Sequence, residues 1–388
     1  MATIVFFPFP EFGHLTPTLK LARMLKLAGH RIIYLVFAEF EEYVRSQGLE
    51  FIPIMENSHT DGSSGEPPTR MKVSNISQSL SALEADRRAS SAPFRQIEKE
   101  LERILRETNP DLLIVDFLIG GLAYKASREL GVTSALVSVS YFEMPMLGEP
   151  ANDPHHLELP VLVLCPKEFD LPHTADKPNR YYIEASIDLQ RKELYSFPWE
   201  AIDASKPLIY SSVGCQPHLY DDISTLYRAI IEAMKERPDW QLVLAIGRHM
   251  DCNAFHPVPE NVLLVNWAPQ LELIKRAAIM INHAGLGGVK ECILFGVPMI
   301  VFPRKWDQPF NAARVVAHGL GVRGNIHNVS AGQLHRLIDT ITGNHLLNSR
   351  VRAMSQIFNQ IENSGIGVRT VERILSGVQG ERLERAAL

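Results

Sequence analysis

The stretch AIMINHAGLGGVKECILFGVPMIVFP, residues 278–303, decides the fold of this chain. It contains an apolar strand, a glycine-rich turn, the helical segment GVKECILF and a second apolar strand after Gly296. Two apolar strands joined through a helix form a βαβ unit, in which the strands lie parallel in one sheet. The stretch therefore predicts a parallel sheet covered by helices.

The same alternation extends back from this stretch to Pro207. Strand candidates alternate there with segments of helical periodicity. In order they are PLIYSSVG, the helix STLYRAIIEAMKE, QLVLAIG, NVLLVNW and the short helix LELIKRA. This pattern predicts a doubly wound α/β unit in the second half of the chain.

A unit of the same kind is predicted for the first half. Its strands are TIVFFPF, RIIYLVF, FIPI, LLIVDF and SALVSVS, and its helices are LTPTLKLARMLKLAGH, FRQIEKELERIL and one over residues 120–130. Between Met144 and Pro207 the periodicity weakens and prolines are frequent, so irregular surface segments and a connection between domains are expected. The fold class is α/β, with Rossmann-like domains over residues 1–200 and 201–388, the second ending in a helical tail.

The composition excludes several classes of protein. The 388 residues are 46% hydrophobic and 21% charged, as in globular proteins, and the net charge of -5 argues against nucleic acid as a partner. Cys165, Cys215, Cys252 and Cys292 lack paired spacing, so reduced thiols are expected. No apolar run approaches the roughly 18 residues of a membrane span, and no signal peptide follows Met1. These features predict a cytoplasmic protein with no stable membrane insertion.

Residues of several types stand in a characteristic order towards the end of the second unit. They are Trp267-Ala268-Pro269-Gln270, His283-Ala284-Gly285-Leu286-Gly287-Gly288, Glu291, Gly296-Val297-Pro298 and Asp307-Gln308. This order resembles the donor-binding signature of family 1 glycosyltransferases, the UDP-glycosyltransferase group, whose two facing Rossmann-like domains form the GT-B fold. Many relatives carry a polar side chain where this chain has Gly287 and Gly288. The resemblance implies a GT-B fold and a nucleotide-sugar donor.

The chemistry of these residues suits a nucleoside diphosphate. A glycine-rich turn at a helix start leaves backbone N–H groups and the positive helix end free for an anion. His283 can donate a hydrogen bond to the diphosphate, Glu291 can accept both ribose hydroxyls, and Trp267 offers a flat face to uracil. Taken singly, these residues have ordinary structural explanations as a helix acid, a core aromatic or a turn. Their joint order favours a donor site.

The resemblance adds further residues to this site. It implies that Asp307 and Gln308 bind sugar hydroxyls, and that the loop Ser211-Ser212-Val213-Gly214 lies near the diphosphate. The expected donor-binding residues are Ser212, Gly214, Trp267, Ala268, Gln270, His283, Gly285, Gly287, Gly288, Glu291, Asp307 and Gln308.

His14 is the candidate catalytic residue of the first half. It lies in Glu11-Phe12-Gly13-His14-Leu15-Thr16-Pro17, directly after the first predicted strand, and ligands of open α/β sheets bind at the carboxyl ends of strands. The segment resembles the Gly-His-x-x-Pro element of the family, which implies that His14 removes the proton of an acceptor hydroxyl. A neutral imidazole titrates near physiological pH, which suits a general base. Without the second-half signature, His14 would be interpreted as a helix-start residue with no chemistry.

Asp116 is the expected partner of His14. It ends the strand LLIVDF, so the parallel sheet places it on the same rim as His14. A carboxylate there fixes the tautomer of the histidine and stabilises the imidazolium that forms. The resemblance assigns it that role.

No metal and no other cofactor is predicted. Helix N-termini and His283 can neutralise a leaving diphosphate without a metal ion. Asp221 and Asp222 are interpreted as solvated capping residues. The adjacent His155 and His156 lack further ligands at standard spacing, so surface placement is favoured over a zinc site.

The sequence thus predicts an inverting glycosyltransferase that moves a hexose, expected to be glucose, from a UDP-sugar to a hydroxyl of a small, largely apolar acceptor. Two alternatives stay open: another GT-B sugar-nucleotide enzyme, such as a lipid-linked glycosyltransferase, and a noncatalytic nucleotide-sugar-binding protein. UDP and dTDP are not distinguished. Residues 56–95 and 140–185 would line the acceptor side and contain no motif that names the acceptor.

Overall fold

The computed structural model describes residues 1–54, 92–139, 159–171, 179–193, 196–214 and 217–377, and it contains two parallel β-sheets. The strands of the first sheet are Thr3–Phe7 (β1), Arg31–Val36 (β2), Glu50–Pro53 (β3), Leu112–Asp116 (β4), Ser134–Ser138 (β5), Val161–Val163 (β6) and Arg180–Tyr182 (β7). Those of the second sheet are Leu208–Ser212 (β8), Gln241–Ala245 (β9), Val262–Val265 (β10), Ala277–Asn282 (β11), Met299–Val301 (β12) and Gly321–Arg323 (β13).

Helices connect the strands and follow the second sheet. The α-helices are Phe12–Leu15 (α1), Leu19–Leu27 (α2), Glu41–Ser46 (α3), Ala92–Thr108 (α4), Gly120–Leu130 (α5), Ile223–Lys235 (α6), Gln270–Ile274 (α7), Leu286–Phe295 (α8), Gln308–Ala317 (α9), Ala331–Thr342 (α10), His345–Glu362 (α11) and Ile366–Leu375 (α12). Among the described residues, none of the helices has the length and apolar character that a bilayer span requires.

The strand order places a crevice in each sheet. The orders are β3-β2-β1-β4-β5-β6-β7 and β10-β9-β8-β11-β12-β13, so the chain changes direction of strand addition between β1 and β4 and between β8 and β11. Both central pairs are parallel, with Val5 opposite Leu113 and Met280 opposite Tyr210. Ligands of open α/β sheets bind outside the carboxyl ends of the strands at such a switch point. The predicted α/β fold class is confirmed.

The centre of each sheet is apolar on both faces. In the first sheet, residues 4–7 and the whole of β4 are buried, and in the second sheet residues 279–282 of β11 are buried. Strands of parallel sheets lie under helices on both faces, so they need continuous apolar runs rather than alternation. The rigid centre of each sheet therefore supports the loops at its carboxyl edge.

The helix predicted over LTPTLKLARMLKLAGH is divided in the structure. A 3₁₀ turn, Thr16–Thr18, separates α1 from α2. Pro17 has no N–H to donate to a carbonyl four residues earlier, which explains the break. As a result, His14 lies on a short helix of its own directly beside the end of β1.

The expectation of irregular surface segments between Met144 and Pro207 is wrong for part of this region. β6 and β7 extend the first sheet, and Leu162, Leu164 and Phe169 are buried. Each of these strands has three residues, too few for a periodic pattern to identify. His155 and His156 lie outside the described residues.

The C-terminal helices return to the first half of the chain. Lys20 donates a hydrogen bond of 2.6 Å to the Glu362 carboxylate, and the backbone N–H of Gly367 donates one of 2.8 Å to Glu184. The helix α12 contacts α2. The domain limits 1–200 and 201–388 stay a prediction, and the residues from 378 onwards lie outside the described part of the chain.

Two smaller expectations have different outcomes. Asp222 occupies the N-cap position of α6, but its side chain makes no cap hydrogen bond and instead forms an ion pair with Arg304, so the solvated capping role is wrong. Among the described cysteines, Cys165, Cys252 and Cys292 form no disulfide with one another, and Cys215 lies outside the described residues.

Candidate active site

The first rim of the site is built at the switch point of the first sheet. His14 follows β1 and Asp116 ends β4, which is hydrogen-bonded to β1. Nδ1 of His14 lies 2.8 Å from Oδ2 of Asp116, and the other carboxylate oxygen accepts the N–H of Leu118 at 3.0 Å. The Asp116 side chain is 1% exposed and the His14 side chain 21% exposed. The structure thus brings the predicted pair together, and both residues line the same cleft.

The surroundings of His14 change its protonation. Burial lowers the pKa of His14, but the charge and hydrogen bond of Asp116, with the charges of Glu11 and Asp307, outweigh burial and raise the pKa to about 9. The expectation that this imidazole titrates near physiological pH is therefore wrong for the ligand-free site. At pH 7 His14 is an imidazolium paired with the Asp116 carboxylate.

The second rim is built at the switch point of the second sheet. Ser212 ends β8 and His283 directly follows β11. A Cβ added at Gly214, whose φ is +90°, would lie 2.8 Å from Cε1 of the His283 ring, and one at Gly285 would lie 2.6 Å from its Nε2. Real Cβ atoms essentially never come so close, so these two glycines make room for the imidazole. The sequence motifs indicate only that Gly285 lies in the glycine-rich turn and Gly214 in a second loop near the diphosphate.

His283 differs from His14 in its electrostatic state. Burial lowers its pKa to about 4, so the ring is neutral at pH 7. Its Nδ1 is buried and has no hydrogen-bond partner among the described residues. A neutral imidazole at this place can donate one hydrogen bond without moving a proton.

The helix α8 begins beside this imidazole. The first four N–H groups of an α-helix have no partner within the helix, and they carry the positive end of its dipole. Gly285 is the N-cap residue, and Gly287 and Gly288 lie in the first turn. A Cβ at Gly287 would meet nothing within 4 Å. The helix start is therefore open to an anion from the cleft.

The ring of Trp267 is covered by an arginine that the sequence did not single out. The guanidinium carbon of Arg248 lies 4.1 Å from the Trp267 ring centroid and 4.9 Å from that of Phe12. Arg248 thus lies against one aromatic residue from each half of the chain. It follows β9 at a carboxyl edge, a position that could have marked it as a candidate.

Two side chains donate hydrogen bonds to the Glu291 carboxylate. Arg191 donates to its Oε1 at 2.6 Å, and Gln270 donates to its Oε2. The carboxylate is 6% exposed and the arginine 10% exposed. The sequence motifs indicate Gln270 and Glu291 but not Arg191. Nothing in the sequence connects Arg191 to Glu291, because the two residues lie far apart in the chain.

The two residues expected to bind sugar hydroxyls, Asp307 and Gln308, differ in their contacts. The Gln308 amide is used within the protein: its oxygen accepts the backbone N–H groups of Arg304 and Lys305 at 2.9 and 3.2 Å, and its nitrogen donates to the Tyr220 hydroxyl at 2.9 Å. Asp307 accepts a hydrogen bond of 2.8 Å from Asn311, and its charge acts on His14. Gln308 therefore holds the loop, and Asp307 is the member of the pair whose charge acts on His14.

One cleft of about 380 Å³ is lined from both halves of the chain. Phe6 and Phe7 are core residues, but Phe9 and Phe12 lie along the cleft next to His14. A cleft of this size suits a small molecule. It brings together all of the predicted site residues: His14, Asp116, Ser212, Gly214, Trp267, Ala268, Gln270, His283, Gly285, Gly287, Gly288, Glu291, Asp307 and Gln308.

Known proteins resemble this chain in sequence and in structure. A family model of the C-terminal domain of erythromycin biosynthesis protein CIII-like proteins matches residues 232–360. The chain is 26% identical over 376 residues to the NDP-glycosyltransferase YjiC of Bacillus subtilis (strain 168), an alignment that covers 89% of this chain and 91% of that protein.

Two solved structures share the fold. The glycotransferase of kitacinnamycin matches with a TM-score of 0.74 and 24% identity, covering 96% of this chain and 98% of the other. The spinosyn rhamnosyltransferase SpnG, complexed with thymidine diphosphate, matches with a TM-score of 0.72 and 19% identity over 96% of this chain and 100% of the other.

Two Rossmann-like sheets with a shared cleft, together with these structural neighbours, define a protein of the GT-B class. The matched relatives and the family model are consistent with one activity, sugar transfer that depends on a nucleotide sugar. The resemblance to the family 1 glycosyltransferases seen in the sequence is confirmed by the family model, by the relative and by the structural neighbours.

Proposed function

We propose that this protein moves a hexose, with glucose as the first candidate, from a UDP-sugar to a hydroxyl of a small, largely apolar acceptor, with inversion at the anomeric carbon. The observation that carries the proposal is the pairing of two rims in one cleft. A His14–Asp116 pair lines one side, and the open start of α8 with His283 lines the other.

His14 is the general base of the proposed reaction. With Nδ1 held by Asp116, Nε2 takes the proton of the acceptor hydroxyl as its oxygen bonds to the anomeric carbon. The bond from that carbon to the diphosphate oxygen breaks on the opposite face, which inverts the configuration. Because the ligand-free imidazole is protonated at pH 7, it must release its proton before it can act.

The leaving diphosphate is stabilised by the second rim. Negative charge grows on its bridging oxygen as the sugar departs, and N–H groups fixed at a helix start stabilise such charge without rearrangement. His283, neutral in the ligand-free protein, adds one donor. We propose that no metal ion is required, since these groups supply the stabilisation.

The nucleoside is proposed to lie between Trp267 and Glu291. The base would take the Trp267 face that Arg248 covers in the ligand-free cleft, so Arg248 moves when the donor binds. Glu291 keeps further acceptor sites for ribose hydroxyls, because a carboxylate offers about four in all and the protein uses two of them. Asp307 lies nearest the sugar in this arrangement. The thymidine diphosphate bound by SpnG makes a dTDP-sugar the alternative donor.

The acceptor is proposed to be a small natural product. Phe9 and Phe12 give the His14 side of the cleft an apolar lining, and the Phe9 ring centroid lies 5.2 Å from that of His14. Two structural neighbours carry the names of natural products, kitacinnamycin and spinosyn. An alcohol with an aromatic or otherwise apolar body suits the lining of the cleft.

A donor and acceptor panel tests the proposal. The purified protein is incubated with UDP- and dTDP-hexoses and a set of aromatic and macrolide alcohols, with and without EDTA. Mass spectrometry gives the sugar and acceptor, and proton NMR gives the anomeric configuration. We expect a β-linked product from an α-linked donor, unaffected by EDTA. Retained configuration, or loss of product with EDTA, would contradict the mechanism.

Other outcomes favour the alternatives. UDP binding without any product would favour a noncatalytic nucleotide-sugar-binding protein. Product formed only when acceptor lipids are supplied in vesicles would favour a lipid-linked glycosyltransferase.

A further inference from the structure

Arg191 comes from the first half of the chain but contacts the donor rim of the second. It lies between β7 and β8, and its Nη1 is 2.6 Å from Oε1 of Glu291, a residue of α8. Both residues line the cleft. Burial lowers the pKa of Arg191, but the nearby charges of Glu291 and Glu193 outweigh it, so the guanidinium stays charged. A buried ion pair therefore lies in the nucleoside part of the proposed site.

The segment that carries Arg191 is fixed on both sides of it. Before it, the Asp188 carboxylate accepts from Arg23 at 2.7 Å, and the N–H of Ile187 donates to Glu362 at 2.9 Å. After it, the N–H of Lys192 donates to Gln47 at 3.0 Å. These contacts place the guanidinium through the fold and not through Glu291 alone.

The position of Glu291 explains why it needs a cation. It lies five residues after Leu286, which corresponds to about 7.5 Å along the helix axis from the proposed diphosphate site. This is no longer than the Debye length of roughly 8 Å at physiological ionic strength, so an unpaired carboxylate would repel a bound diphosphate. The Gln270 amide donates a hydrogen bond to Glu291 but carries no charge. Arg191 alone, among the residues hydrogen-bonded to this carboxylate, cancels its charge.

We propose that Arg191 is a positioning residue of the donor site, which holds and neutralises the Glu291 carboxylate so that a nucleoside diphosphate can bind beside it. The inference rests on the proposed function in one respect, that the donor diphosphate binds at the start of α8. Its consequence is a donor site completed by the segment between the two sheets.

Calorimetric titration of Arg191→Gln with UDP and with uridine tests the proposal without an acceptor. We expect UDP affinity to fall by about tenfold or more, since like charges at this separation interact by a few kcal/mol at the effective dielectric of a protein site. Uridine has no phosphate, so its affinity should change less than about threefold on the same argument. Added salt should recover part of the lost UDP affinity, because it screens the repulsion.

A double variant that removes both charges of the ion pair gives the decisive test. In Arg191→Gln/Glu291→Gln both charges are removed, and the ratio of UDP to uridine affinity should exceed that of Arg191→Gln, whereas a purely structural role for Arg191 gives no recovery of this ratio. Arg191→Lys keeps the charge and should retain most UDP affinity. Arg314→Gln is the matched control, because Arg314 forms a buried ion pair with Asp170 that does not line the cleft. The UDP affinity of this variant should equal that of the wild type.

If Arg191→Gln fails to fold, Glu291→Gln alone decides. It leaves Arg191 as an excess positive charge, so the ratio of UDP to uridine affinity should rise; a constant or lower ratio would overturn the proposal. Equal losses of UDP and uridine in Arg191→Gln, or no recovery in the double variant, would overturn it as well. If the wild-type protein binds UDP but transfers no sugar, the proposed function is wrong and this inference still stands. If the wild-type protein binds no nucleoside diphosphate, both are overturned.

Discussion

His14 and His283 each lie at the switch point of one sheet, yet their electrostatic states are opposite. Each follows a central strand at a switch point, and both line the same cleft. Asp116 raises the pKa of His14 to about 9, whereas burial without a charged partner lowers the pKa of His283 to about 4. Burial acts against the charged form of both rings, so the presence of a charged partner decides their protonation. His14 holds a proton at pH 7, whereas His283 stays neutral and can donate one hydrogen bond.

Among the variants that test this contrast, one that lacks the His14 imidazole should show the largest effect, a loss of transfer rate. His14→Ala should lower the rate constant for transfer by about 10²–10⁴, the usual contribution of a general base. UDP affinity should stay nearly unchanged, because the donor contacts lie on the other rim. Steady-state kinetics and calorimetry measure the two quantities, with the exposed His327→Ala as the control. Transfer at a rate close to wild type would remove His14 from the role of base.

The pH profile should show the next largest effect. Only the neutral imidazole accepts a proton, and with a pKa of about 9 it is roughly 1% neutral at pH 7. The kcat/KM for the acceptor should therefore rise about 50-fold between pH 7 and pH 9 and level off above about pH 10. In Asp116→Asn the inflection should move to lower pH, because the main charge that raises the pKa is gone. A flat profile over this range would contradict the ion-pair state of His14.

Glycine substitutions beside His283 should give a smaller loss. A Cβ at residue 285 would lie 2.6 Å from the ring nitrogen, so Gly285→Ala must displace the imidazole. UDP affinity should fall by about tenfold, the loss expected for one hydrogen bond to a charged group. Gly287→Ala is the matched control, since its Cβ meets nothing within 4 Å. Equal affinities of the two variants would separate His283 from diphosphate binding.

The stability of the protein should also respond to pH through His14. Because the pKa of His14 is raised in the folded state, its ion pair stabilises the protein fully below about pH 6.5, and this contribution is lost as pH rises through about 9. The free energy of unfolding of wild type relative to His14→Gln should shrink by up to about 3 kcal/mol between pH 6 and pH 10. Urea denaturation at the two pH values measures it. A difference that grows with pH would reverse the sign of the pKa shift.

The parts of the site that follow strand ends could be predicted from the sequence. In a parallel sheet all carboxyl ends meet at one edge, so His14 after one strand and Asp116 at the end of another had to lie on the same rim. The same rule brought Ser212 near His283. Local patterns identify strands and turns, and the parallel topology then places the residues that follow the strands along one edge of the sheet.

Contacts between distant segments could not be predicted. Arg191 and Arg248 reach Glu291 and Trp267 only through the fold, and no spacing in the chain signals either contact. The pKa of His14 depends on burial, on the neighbouring Glu11 and on the charges of Asp116 and Asp307 from two other segments. β6 and β7 are too short to show a period. Gln308 resembled a sugar ligand, and only the structure shows its amide holding the loop and Tyr220.

The return of α11 and α12 to the first half has a consequence for how the protein can be made. On the ribosome, the surface of α2 that contacts α12 is finished early but stays uncovered until residues 366–375 emerge. A gene split between residues 193 and 208 would likewise place Lys20 and its partner Glu362 on separate polypeptides. Two-fragment expression should therefore need co-production, whereas a fragment of the second half alone would present the buried carboxylate of Glu362 to water.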